Sequence, residues 1–63
     1  MSERYLDGLA YSVGSTLHGI GLTNAGRSVT VLAIGRTAGR IRVKEHITGR
    51  TFWTFDRSYR VIV

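Results

Sequence analysis

The chain has 63 residues, a formal net charge of +5 and no cysteine, which excludes disulfide staples and thiolate metal sites. A domain of this length buries only about 60% of the surface its unfolded chain exposes, so one thin-cored domain over residues 1–63 is expected. The longest apolar run, Val31-Leu32-Ala33-Ile34, is far short of the roughly 20 residues that span a bilayer; with no secretory leader read at Met1-Ser2-Glu3-Arg4, a cytoplasmic protein is expected.

Charge is uneven along the chain. Up to Gly26, Arg4 stands against Glu3 and Asp7 for a net −1, and from Arg27 onward eight cations oppose Glu45 and Asp56 for +6. Such a basic half points to a partner with negative charge. Eight of the nine cations are arginine, whose planar fork suits phosphate and base edges. A GC-rich coding sequence gives the same bias.

In chain order, Leu6, Leu9, Ala10 and Val13 fall at the spacing of one helix face, with Ser2 placed to cap and Glu3 beside the positive helix end. This predicts a short helix over 3–13, stopped at Gly14. Gly8 weakens it by about 1 kcal/mol relative to alanine, so the helix needs tertiary support. From Ser15 to Gly26 the glycines and Asn24 break any period. A short strand over 17–23 and a turn at Asn24-Ala25-Gly26 are the expectations there.

Beyond that turn the signals strengthen. Ser28–Ile34 is β-branched and, toward its end, apolar on both faces, which predicts a central strand. After the glycine-bounded loop 35–39, Arg40-Ile41-Arg42-Val43-Lys44-Glu45-His46 alternates strictly. Period two puts Arg40, Arg42, Lys44 and His46 on one face, Ile41 and Val43 on the other. A turn around Thr48-Gly49 leads to Thr51–Phe55, a third strand with Trp53 and Phe55 on one face and Phe52 on the other. A corner at Asp56-Arg57-Ser58 precedes a last strand over 59–63.

Together these elements predict an all-β fold: an SH3-like small barrel of four or five short antiparallel strands, with a meander over 28–63 and a short N-terminal helix. Closure would remove the exposed edges of a β-branched chain that has no proline to blunt them. Val13-Gly14-Ser15-Thr16-Leu17 and Val29-Thr30-Val31-Leu32 also resemble the opening two strands of the carbon storage regulator family of small dimeric mRNA-binding proteins. The family pattern starts its first strand at the initiator methionine and turns more tightly, whereas this chain has an extension and a longer connection over 19–26. The resemblance implies Arg57 as an RNA contact.

Same-face neighbours on a strand lie roughly 6.7 Å apart, about twice the ~3.4 Å axial spacing of charges along one DNA strand. The row Arg40, Arg42, Lys44, His46 is therefore matched to phosphates, with Arg36, Arg50 and Arg57 at its margins. The plain alternative is a solvated face that keeps a small protein soluble. Trp53 is a candidate to stack on an unpaired base. Scarcity of large apolar residues favours instead Trp53 and Phe55 in the core, which would leave Phe52 exposed.

Catalytic signatures are weak. Gly14-Ser15-Thr16-Leu17-His18-Gly19 has the glycine spacing of a P-loop, but Ile20 and Gly21 stand where lysine and a hydroxyl residue belong. Gly19-Ile20-Gly21 fails the dinucleotide pattern, with Asn24 at its third glycine. His18 and His46 lack zinc spacing. A serine–histidine pair formed across space stays open, but no enzyme activity, metal or cofactor is expected. The expectation is a small basic nucleic-acid-binding protein, for DNA or RNA, largely electrostatic in its contacts. The rival is a phage- or plasmid-type regulator that binds an acidic surface of a larger protein with the same cationic face. Homo-oligomers through strand edges or the Phe52 face are a third possibility.

Overall fold

The computed structural model describes residues 4–62. Among them the chain forms seven strands and one 3₁₀ turn: β1 (Arg4–Leu6), β2 (Leu9–Tyr11), β3 (Thr16–Gly19), β4 (Ser28–Ile34), β5 (Arg40–Glu45), β6 (Thr51–Phe55), the turn Asp56–Ser58, and β7 (Tyr59–Val61). They make two antiparallel sheets, the β1–β2 hairpin and a five-stranded sheet in the order β6-β5-β4-β3-β7.

The N-terminal segment is a hairpin and not the predicted helix; Ser2 and Glu3, invoked for its cap, lie outside the described residues, as does Val63. Asp7 and Gly8 sit at φ 51° and 79°, between the paired Leu6 and Leu9. Two positive-φ residues match the twist of the flanking strands, and Asp-Gly is a preferred pair for that turn. A helix through Gly8 would have been short and weak. The hairpin instead gains tertiary anchors. Tyr11 is buried and its hydroxyl donates to Asp56 Oδ2 at 2.5 Å. Arg4 donates to the carbonyls of Thr37 (3.1 Å), Arg40 (3.2 Å) and Gly35, holding the 35–39 loop.

The meander of β4, β5 and β6 follows the predicted order, and β4 is the central strand. A bulge between Val31 and Ala33 leaves Leu32 without a register partner, which bends the strand. Only the 3₁₀ turn separates β6 from β7, yet the two stand at opposite edges of the sheet. The sheet therefore curls around its apolar face. Closure into a barrel is not found among the described residues, because β6 and β7 do not pair. The 20–27 loop occupies that seam: Ile20 N–H and the Asn24 side chain both donate to the Ser58 carbonyl, at 3.0 and 3.1 Å. A groove of about 370 Å³ remains between them and Phe52 and Thr54 of β6.

The core is the concave side of this curl. Tyr11, Leu17, Val29, Val31, Ile41, Val43 and Tyr59 are buried, with Leu6, Ile34, Phe52 and Val61 packed against them. Trp53 is absent from it, contrary to the expectation from residue size. Register is the reason. Val43 pairs with Phe52 and Ile41 with Thr54, so β6 turns those two inward, while Trp53 lies opposite Arg42 on the outer face.

Candidate nucleic-acid interface

The convex face is built from the positions that the core leaves out. On β5, Ile41, Val43 and Glu45 are buried while Arg42 and Lys44 are exposed and Arg40 is half-buried. Their partners on β6 are Phe55 for Arg40, Trp53 for Arg42 and Thr51 for Lys44. On the other side Thr30 lies beside Lys44 and Ala33 beside Arg42. Cross-strand pairing puts each set on one face, so the predicted cation row exists, and an exposed indole runs alongside it.

The row is also ordered by aromatic contacts. The Arg40 guanidinium lies 5.3 Å from the Phe55 ring centroid and 5.8 Å from that of Trp53, and the Arg57 guanidinium lies 5.0 Å from Phe55. Guanidinium groups within about 6 Å of a ring are held by its quadrupole, by ~0.5–1 kcal/mol at exposed sites. Arg57, Phe55, Arg40 and Trp53 thus form a chain of alternating cations and rings. Arg42 Nη2 donates to Thr51 Oγ1 at 3.2 Å.

Other predicted members are placed differently. His46 falls in the turn after β5, but its Nε2 lies 2.7 Å from Thr30 Oγ1, which keeps the imidazole at the edge of the outer face. Arg36 is exposed in the 35–39 loop, beyond the end of the row. Arg50 does not extend it. Glu45 N–H bonds to the Arg50 carbonyl at 2.8 Å, and Glu45 is an inward position, so Arg50 comes up on the opposite side, its guanidinium 5.9 Å from the inward-facing Phe52.

Sequence reasoning missed Arg60. It is exposed on β7 and pairs with His18, whose own partner is Ser28. The signal was present as Tyr59 in, Arg60 out, Val61 in. His18 Nδ1 lies 3.3 Å from Ser28 Oγ, a serine–histidine contact of the kind the sequence left open. Among the described residues no carboxylate is hydrogen-bonded to His18 to orient it as a base. None of them form a group of three or more His, Asp or Glu that could hold a metal ion.

Two carboxylates are withdrawn from the β5 row. Glu45 and Asp56 are both buried. Glu45 accepts from Thr48 Oγ1 at 2.6 Å and from Arg27 Nη1 at 2.9 Å; the Thr48 hydroxyl first and then Arg27 hold its pKa below the ordinary carboxylate range. Burial, and then the bond to Asp56, push the Tyr11 phenol well above its ordinary pKa. Asp7 is exposed and lines a groove of about 390 Å³ that it shares with the outer-face His18 and Arg60 and with Leu6, Leu9 and Val61. Arg27–Glu45 is the ion pair found among the described residues, and it involves no member of the row.

No helix among the described residues is long and apolar enough to cross a membrane. No protein-family model, curated protein or solved structure matches the chain.

Proposed function

We propose that the protein is a small nucleic-acid-binding module that contacts the phosphate backbone through the convex face of its curled sheet. Arg40, Arg42 and Lys44 are the central contacts, with Arg57 and His46 at the margins and Arg60 added from β7. One observation carries this reading: the three β5 cations stand side by side on one face, and none of them belongs to the ion pair found among the described residues. A row made only for solubility has no need of an exposed tryptophan beside it. The strand order β6-β5-β4-β3-β7, with a 3₁₀ turn before the last strand, supports taking the sheet as an open form of an SH3-like barrel. A cytoplasmic setting belongs to the same proposal, supported by the cysteine-free sequence.

The test is a salt titration with random duplex DNA, single-stranded DNA and RNA. With about four to six phosphate contacts, log affinity against log salt should fall with a slope of about −4 to −5 on a duplex. The double variant Arg40→Ala/Arg42→Ala should bind every sequence more weakly, with a slope shallower by about 2. Affinity that ignores salt would remove the proposal. Retention on an acidic polypeptide, with no binding to any oligonucleotide, would replace it with the protein-partner reading.

A further inference from the structure

We infer that the convex face takes a single strand, DNA or RNA, by stacking an unpaired base on Trp53, and that duplex grooves are not its substrate. This rests on the nucleic-acid reading above and narrows it to one class.

The first observation is Trp53 itself, 45% exposed in a domain whose core is short of large side chains. Register keeps it outside: its strand neighbours Phe52 and Thr54 take the inward positions. Its surroundings on the outer face are Arg42 across the strand pair, Thr51 and Phe55 along its own strand, and Arg40 against the ring. Cations beside an aromatic platform are the combination that holds single strands, the ring taking any base by its π-face while the charges follow the backbone. Arg40, in contact with both Phe55 and Trp53, restrains the indole before a ligand arrives, which lowers the ordering cost of binding.

The second observation is the breadth of the face. Five strands set about 4.8 Å apart extend roughly 19 Å around the curl, whereas the major groove of B-DNA is about 12 Å wide. A single helix or two-stranded ribbon enters that groove; this surface does not. In a duplex each base face is also covered by its neighbours, and exposing one requires unstacking that costs a few kcal/mol. A strand already unpaired carries no such penalty, and splaying its bases lengthens the phosphate spacing toward that of alternate residues on β5.

Trp53 is the single tryptophan, so intrinsic emission reports on the proposed platform directly. Oligothymidine, oligouridine and a self-complementary duplex, each of about twelve nucleotides, are titrated at low salt while both tryptophan emission and the anisotropy of labelled oligonucleotide are followed. Both single strands should quench the emission and bind at least about tenfold more tightly than the duplex, a difference of ~1.4 kcal/mol. Trp53→Ala should weaken single-strand binding roughly 5- to 150-fold, the equivalent of ~1–3 kcal/mol per stacked base, and weaken duplex binding by a much smaller factor, through the lost contact with Arg40 alone. Trp53→Phe, which keeps a ring and the strand, should recover most of the loss, while Arg42→Ala should weaken both substrates alike. Equal or tighter duplex binding with unchanged emission would overturn the stacking inference while the phosphate reading survives. Binding to none of the three would overturn both.

Discussion

Glu45 shows how little the identity of a residue says about its role until its neighbours are known. In the sequence it is the acid that interrupts a basic segment between Lys44 and His46. In the fold it is the inward residue of β5, buried, with Thr48 Oγ1 and Arg27 Nη1 donating to its two carboxylate oxygens. Both bonds favour the charged form, so its folded pKa lies below the unfolded one, whose ordinary value is 4.5. The sign follows from linkage: the stabilisation is fully present above the unfolded pKa and is lost as pH falls through the folded one. Comparing wild type with Glu45→Gln by urea denaturation should therefore show the largest stability gap near neutrality, closing as the solution is acidified below about pH 4. A gap that stays constant over that range would show that shape and not charge is what Glu45 contributes.

At the scale of elements, what was legible depended on whether a pattern had one solution. β4, β5 and β6 were readable because β-branched content and alternation pointed the same way, and the inward placement of Ile41 and Val43 followed from period two alone. Leu6, Leu9, Ala10 and Val13 fit a helix face, but Leu6 and Leu9 are equally the two residues flanking an Asp-Gly turn, and the turn prevails where its tertiary anchors, Arg4 and Tyr11, find partners more than thirty residues away. Neither anchor is visible locally. Thr51–Phe55 was ambiguous for another reason: aromatics stand on both its faces, and only the register against β5 chooses between them. Arg50 followed the same logic, its side decided by pairing with Glu45. The 20–27 connection gave no period, yet it contains a strict requirement. A Cβ at Gly19 would collide with the Asn24 carbonyl, and Asn24 also accepts from Gly21 N–H at 2.6 Å and donates to Ser58. Gly19→Ala should force this loop off the β3 end and destabilise the domain by about 1–3 kcal/mol, the usual range for overpacking a tight site. Gly49→Ala is the comparison, since nothing lies within 4 Å of a Cβ there and its positive φ of 75° is the remaining objection. Chemical denaturation of the two variants would separate collision from backbone strain; equal losses would mean that the close approach to Asn24 yields at little expense.

The whole molecule is organised by charge as much as by hydrophobicity. Two of the carboxylates are drawn to the concave side, while Arg40, Arg42, Lys44 and Arg60 are left on the convex one, within a domain whose Cα radius of gyration is 10.4 Å. Like charges on so small a body repel one another and oppose the compact state. A polyanion that binds the folded form alone should relieve that repulsion and stabilise the domain by mass action, by about 2.7 kcal/mol at a concentration one hundred times Kd. For a domain of this size 1 kcal/mol moves Tm by roughly 4–8 °C, so saturating single-stranded oligonucleotide should raise it by about 10–20 °C. On the proposed phosphate contacts the increment should shrink steadily as salt is added, because affinity won by counterion release falls with salt. Differential scanning fluorimetry on wild type and Arg40→Ala/Arg42→Ala makes the distinction: the variant loses two repelling charges together with the ring contacts of Arg40, so each protein is compared with its own unliganded unfolding temperature, and the variant should gain less from the oligonucleotide. If the variant gained as much, the stabilising contacts would lie elsewhere on the molecule and the β5 row would revert to a solvated face.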